Sequence, residues 1–237
     1  MFLSHHNSII NRNNKFVSNG LILHLDAANR SSYPTSGTLW TDLSSTNNNA
    51  TLVNGPSYSG IYNGGIFFDG INDHATFSSN PVVTNQITVE VWSQTSDTSS
   101  QEALIIGRES SYRIMYGKYG GITWVCATSN NGWYTAGTFI SACCNQWSSS
   151  KVIHTVGTYN GSNNRLYVDG VLQTTSTAIS GNVLTNGTLY ISRTIVPQPG
   201  EPAWGKGTIH LVRIYNRALT DSEILLNYNG FRQRYLL

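Results

Sequence analysis

The sequence predicts an all-β fold: an antiparallel β-sandwich of jelly-roll type, closed by one short C-terminal helix. Three observations predict it. Short apolar–polar alternations recur along the chain between Gly, Asn and Ser clusters, the pattern of many short strands and turns. Asp169-Gly170 stands between "RLYV" and "VLQT", and a two-residue type I′ hairpin turn demands that dipeptide. Near the end, "GTIHLVRIYNRALTDSEILLNYN" (Gly207 to Asn229) passes from the period of a strand into that of a helix.

The elements follow in order. Residues 1–18 are polar and unpatterned and read as an arm, whereas residues 19–237 read as one domain because no break in composition divides them. A strand begins at Leu21 in "GLILHLDA", and the next twenty-odd residues are rich in turn formers. "GGIFFDGINDHATF" reads as strand, turn, strand. In "QITVEVWSQ", Ile87, Val89 and Val91 alternate with Thr88, Glu90 and Trp92. "EALIIGRESSYRIMYG" and "GGITWVCATS" read as one strand each, and residues 130–151 are the least regular stretch. "KVIHTVGTYNGSNNRLYVDGVLQTT" carries the Asp-Gly hairpin, and "GTLYISR" and "GTIHLVRIY" supply the last strands. In the final strand Ile209, Leu211 and Arg213 are expected on one face, with His210, Val212 and Ile214 on the other. Thr220 and Glu223 then form a capping box, and Leu219 and Ile224 a hydrophobic staple. Ile224, Leu225 and Tyr228 line one helical face, and Asn229-Gly230 marks the stop.

Composition removes several functions. Charged residues make up 11% of the 237, with a net charge of +2 and no basic stripe, so nucleic acid is not an expected partner. No run approaches the roughly 20 apolar residues of a membrane span, so no membrane is expected. The N-terminus lacks the apolar core of a secretory signal, which predicts synthesis in the cytoplasm without export by that route. Cys126, Cys143 and Cys144 are odd in number with two adjacent, and read as buried or indifferent thiols rather than a disulfide or metal framework.

Taken in order, "FFDGINDHATF", "ITVEVW", "VIHTVGTYNGSNNRLYVDGVLQ", "GTLYISR" and "GTIHLVRIYNRALTDSEI" resemble the concanavalin A-like jelly roll of the laminin G-like group. The segment "SNGLILHLDAANRSSYPTSGTLWTDLSSTNNNATLVNGP" is similar to one that recurs in structural proteins of tailed, often marine, phages, where it follows a short polar arm. The resemblance implies a virion structural protein, a capsid-surface decoration or a tail or fibre component. Such a protein is made in the host cytoplasm, assembles as a homo-oligomer or in many copies, and docks on other virion proteins through its arm. The alternative it implies is a carbohydrate-binding, lectin-like module of a cell-surface or host-attachment protein. Many members of the group carry acidic residues after the Ile of the last strand, where this chain has His210 and Leu211, so no role resting on those acids carries over.

The same fold hosts glucanases, and glycoside hydrolysis needs two carboxylates roughly 5–9.5 Å apart. Hydrolases of this fold present them on an E-x-D-x-E-type strand, and no such strand exists here. Glu90 comes nearest, but its same-face neighbours are Thr88 and Trp92, so the protein is expected not to be an enzyme. No nucleophile elbow is present, and His24 and His210, in strands that can be neighbours, read as ordinary strand histidines. No cofactor is required by any motif. Calcium has two candidate seats, the oxygen-rich turn of Asp69, Asn72 and Asp73 and Asp42 with the Asn run that follows it, although such residues also form turns by bonding their own backbone. For glycans the candidate residues are Trp133, Tyr134, Trp147 and Trp204, which lie in turn-rich sequence and serve equally well as lids over a core. Trp40, Trp92 and Trp124 sit in stronger strand patterns and are assigned to the interior.

Overall fold

The computed structural model describes residues 16–95, 103–117, 121–131, 139–143, 151–176, 179–194 and 204–236. Its strands in chain order are β1 (Leu21–Asp26), β2 (Leu39–Trp40), β3 (Ala50–Val53), β4 (Ser57–Ser59), β5 (Gly65–Asp69), β6 (His74–Phe77), β7 (Ile87–Thr95) and β8 (Ala103–Arg108). There follow β9 (Tyr112–Gly117), β10 (Gly121–Cys126), β11 (Phe139–Cys143), β12 (Ile153–Tyr159), β13 (Asn164–Val168), β14 (Val171–Ser176), β15 (Leu189–Ile191) and β16 (Lys206–Tyr215). One helix, α1 (Asp221–Phe231), continues into a 3-10 turn over Arg232–Tyr235.

Two antiparallel sheets form the sandwich, as the sequence predicts. The first runs β14-β13-β12-β7-β16-β5-β4, and the second β11-β10-β9-β8-β15-β6-β3-β2. The long strand β16 has two partners on one edge: Lys206 to Ile209 pair with β5, and Leu211 to Tyr215 pair with β1. Between the sheets lies the main core, to which Ile87, Val89, Val91, Val212 and Ile214 of the first sheet and Ile106, Ile114, Ile122, Trp124 and Ile191 of the second contribute. Trp124 packs on a spot where only glycine fits, since a Cβ on Gly157 would stand 2.1 Å from the indole. Trp40, Trp92 and Trp124 are all fully buried, as assigned. Asp169 (φ 50°) and Gly170 (φ 78°) both take the left-handed conformation between the paired Val168 and Val171, which makes the expected type I′ turn.

Several local readings are corrected. The stretch from 103 to 117 is two strands, β8 and β9, folded back at Ser110, whose φ is 57°. Strict alternation in β16 fails because its pairing with β7 slips between Ile209 and Leu211. The bulge at His210 leaves Ile209, Val212 and Ile214 in the main core and turns Leu211 to the opposite face. The capping box is present, with Thr220 Oγ1 accepting from the Glu223 amide and Glu223 Oε2 accepting from the Thr220 amide. Leu219 and Ile224 pack together with Val156, Tyr167 and Tyr215, the predicted staple. The helix does not stop at Asn229-Gly230, however. Phe231 and Tyr235 are drawn into a cluster with Trp92 and Leu211, and that packing outweighs the stop signal of Gly230. Ile224, Asn227 and Phe231 form the buried face, while Leu225 is exposed.

The arm boundary also shifts. Phe16 and Val17, assigned to the arm, are held on the outer face of the first sheet. The Val17 amide donates to Asn227 Oδ1 at 2.8 Å, and Tyr215 Oη donates to the Val17 carbonyl at 3.1 Å. Residues 1–15, the rest of the arm, lie outside the described residues. Among the described residues no helix is long and apolar enough to cross a membrane.

Candidate functional site

Glu90, the carboxylate nearest to a glycosidase pattern, points to the outer face of the first sheet and is sealed beneath α1. It is fully buried. His154 Nε2 donates to its Oε1 at 3.0 Å, Arg213 Nη1 to the same oxygen at 3.2 Å, and Asn227 Nδ2 to Oε2 at 2.7 Å. Burial alone would raise its pKa, but Arg213 and the His154 bond hold the carboxyl down to about 2. The Arg213 guanidinium is itself packed against two rings, 4.0 Å from the Phe16 centroid and 4.4 Å from that of Phe231. Arg234 fastens the chain end beside it by two bonds to Asp26, at 2.8 and 3.0 Å. Every acceptor oxygen of Glu90 is occupied and none reaches solvent, so this cluster holds the helix rather than a ligand.

On the second sheet the outer face is built differently. In β6, Ala75 and Phe77 enter the core, so His74 and Thr76 point outward. The Asp69 turn sets the position of His74. Asp69 Oδ1 accepts from the amides of Ile71, Asn72 and Asp73, and Asp73 Oδ2 accepts from the Asp69 amide. These bonds, with that of Ile71 foremost, hold the Asp69 carboxyl below its usual pKa. The turn carries the chain from β5 in the first sheet to β6 in the second. One oxygen of each aspartate is thus committed to the turn's own amides, the arrangement of a self-bonded turn. Among the described residues no three His, Cys, Asp or Glu side chains converge to hold a metal.

His74 Nδ1 donates to the Asn72 carbonyl at 2.9 Å. A carbonyl can only accept, which places the proton on Nδ1 and leaves Nε2 as an acceptor. Arg193 Nη1 donates to that Nε2 at 3.2 Å. Burial, together with the Arg193 charge, lowers the His74 pKa and keeps the ring neutral. Tyr190 stands opposite Thr76 across the β15–β6 pair and shares its face. Ser192, in the left-handed region at φ 63°, turns the chain out of β15, and its hydroxyl donates to the Gly205 carbonyl at 2.6 Å. That tie sets Arg193 opposite Trp204 in an isolated bridge. The Arg193 guanidinium lies 5.1 Å from the Tyr190 ring centroid and 5.2 Å from that of Trp204, and Trp204 lies 5.2 Å from His74. Tyr190, Arg193 and Trp204 are all half-exposed.

The structure therefore joins two sets of candidates that the sequence kept apart. Trp204 is in this cluster, and Asp69, Asn72 and Asp73 form the turn that orients its histidine. Trp133, Tyr134 and Trp147 lie outside the described residues. Sequence reasoning missed His74, Tyr190 and Arg193. For Tyr190 a signal existed: in "TLYIS" the period of two sends Leu189 and Ile191 inward and Tyr190 outward. A cavity inside the sandwich, lined by Phe68, Ser93, Ile105, Tyr116 and Ile209 among others, holds about 20 Å³, which is room for one water.

A family model of the concanavalin A-like lectin/glucanases superfamily matches residues 68–225, well over half of the chain. The chain belongs to this superfamily. No curated protein sequence matches it. Among solved structures, the binding domain of Paraclostridial Mosquitocidal Protein 1 is similar with a TM-score of 0.68 at 16% identity, covering 90% of this chain and 52% of the other. Domain 4 of AbnA, a GH43 extracellular arabinanase from Geobacillus stearothermophilus in complex with arabinotriose, is similar with a TM-score of 0.65 at 16% identity, covering 88% and 98%. The binding domain of botulinum neurotoxin DC in complex with SialylT gives 0.66 at 14% identity, covering 90% and 52%. The superfamily member described here thus spans about half the length of the toxin binding domains and nearly all of the arabinanase domain.

Proposed function

We propose that this protein is a non-catalytic, lectin-like binding module that holds a saccharide on the outer face of the second sheet, at Tyr190, Arg193 and Trp204. One observation carries the reading: two half-exposed aromatic rings converge on a guanidinium that a histidine and a tight turn hold in place. Aromatic faces offer apolar area at low entropic cost, and a few fixed polar groups orient the ligand. Structural relatives solved in complex with arabinotriose and with SialylT support a saccharide as the ligand class. The burial of Glu90 supports binding without turnover. A glycan array probed with the purified protein tests the proposal. Binding should occur and be lost in Trp204→Ala and Tyr190→Ala variants that still fold. No binding by the parent protein, or unchanged binding by both variants, would overturn it.

The resemblance of residues 18–56 to a phage segment supports a setting for the module. It decorates a virion, in many copies, with the arm on other virion proteins. Phe16 and Val17 join the fold on the first sheet, the side opposite Trp204, an arrangement that suits attachment by one face and binding by the other. Mass spectrometry of purified particles should find the chain in many copies, and deletion of residues 1–15 should abolish its incorporation. Normal incorporation of the truncated chain would contradict the role of the arm.

A further inference from the structure

We propose that the ligand of the Tyr190–Arg193–Trp204 cluster is an acidic saccharide whose carboxylate pairs with Arg193 while a neighbouring sugar face lies on Trp204. The inference rests on the saccharide-binding reading of the same site and adds the charge of the ligand.

Arg213 and Arg193 are two of the arginines that lie over a pair of rings. Arg213 lies against Phe16 and Phe231, and Glu90 Oε1 receives its Nη1 at 3.2 Å. Arg193 lies against Tyr190 and Trp204 and is half-exposed, but among the described residues no carboxylate pairs with it. His74 does not substitute for one. Its Nε2 accepts one N–H of the guanidinium and contributes no negative charge, since the proton sits on Nδ1. What that bond does is fix the fork. A guanidinium with its faces against rings and one N–H tied back offers its remaining edge to a planar acceptor, and a carboxylate matches that edge with two parallel bonds.

Among the described residues the cluster also has no carboxylate paired with Arg193. Asp69 and Asp73, the nearby carboxylates of the turn, have the oxygens described above engaged by backbone amides. Charge-assisted pairing of this kind, in a site partly shielded by rings, should separate an acidic sugar from its neutral counterpart by roughly tenfold or more. A ligand held only by stacking would show no such difference.

Calorimetric titration of the full chain with trigalacturonate and 3′-sialyllactose, each beside its methyl ester, tests this directly. The ester keeps the rings and hydroxyls and removes only the charge. At least one acid should bind about tenfold or more tightly than its ester. Arg193→Gln should erase that difference while the thermal midpoint stays near that of the parent, and Arg193→Lys, which keeps the charge without the fork, should restore only part of it. Acid and ester binding alike would overturn the charge assignment and leave the saccharide reading standing. A sulfated saccharide of the same length that outcompetes the carboxylate would also overturn it. Failure of every acidic and neutral saccharide to bind would instead bring down the reading on which the inference rests.

Discussion

Two arginines on opposite faces of one sandwich meet similar surroundings and end in opposite states. Arg213, on the outer face of the first sheet, is packed by Phe16 and Phe231, neutralised by Glu90 and fully buried under α1. Arg193, on the outer face of the second, is packed by Tyr190 and Trp204, tied to a neutral histidine and half-exposed. The difference lies in what each face has to satisfy. A charge taken fully out of water must be paired, so the helix face carries its own counter-ion. A charge left at the surface needs none to fold, and the proposal assigns its pairing capacity to a ligand. The comparison separates a face that holds the fold together from the face to which saccharide binding is proposed.

The largest expected effect breaks the buried side of the comparison. Arg213→Ala should leave Glu90 buried without its cation and cost about 3–5 kcal/mol in chemical denaturation. Arg193→Ala should stay within about 0.5 kcal/mol of the parent. Equal losses would mean that the two arginines play the same structural part.

Acid should act most on the buried side, where two histidines have strongly lowered pKa values. Burial pushes the His24 pKa down to about 2 and that of His210 down to about 4, in each case from an ordinary 6.5. Both rings are neutral in the folded chain, while the unfolded chain takes up protons below about pH 6.5. The stability they contribute is therefore complete above that pH and falls as the pH drops. Between pH 7 and pH 5 the loss should be about 2 kcal/mol per histidine, read from denaturation curves at the two pH values. A stability that is flat over this range would contradict the burial of both rings.

Smaller effects sharpen the picture. Thr220→Ala removes one half of the capping box and should cost about 1 kcal/mol of stability, with saccharide binding unchanged. Millimolar calcium should leave the thermal midpoint where it is, because one oxygen of Asp69 and one of Asp73 already serve backbone amides. A clear rise would place a cation at that turn after all.

How much of this could be read from the sequence follows from the range of the forces. The sandwich, the type I′ turn at Asp169-Gly170 and the capping box at Thr220 rest on local periodicity and backbone geometry, which a single strand or turn displays. The bulge at His210 does not, because it follows from pairing with β7, far away in the chain. The helix running through Gly230 is likewise a tertiary effect, drawn on by Trp92 and Leu211. Of the candidate site, Trp204 was legible as an aromatic residue in a turn-rich stretch. The outward side of Tyr190 was legible from the period of its strand, but its meeting with His74 and Arg193 was not, since they meet only when β6 and β15 pair and Ser192 bends the chain. Glu90 shows the same limit from the other direction: its strand neighbours reveal nothing of Arg213, His154 and Asn227, which arrive from three other elements.

Hydrogen–deuterium exchange of the full chain, with and without whichever of trigalacturonate and 3′-sialyllactose binds, tests the division of the two faces most directly. Exchange should slow in peptides covering residues 74–76, 189–193 and 204–205, and stay unchanged across α1 and the strands beneath it. Protection concentrated on α1, with none at Tyr190 to Arg193, would contradict it.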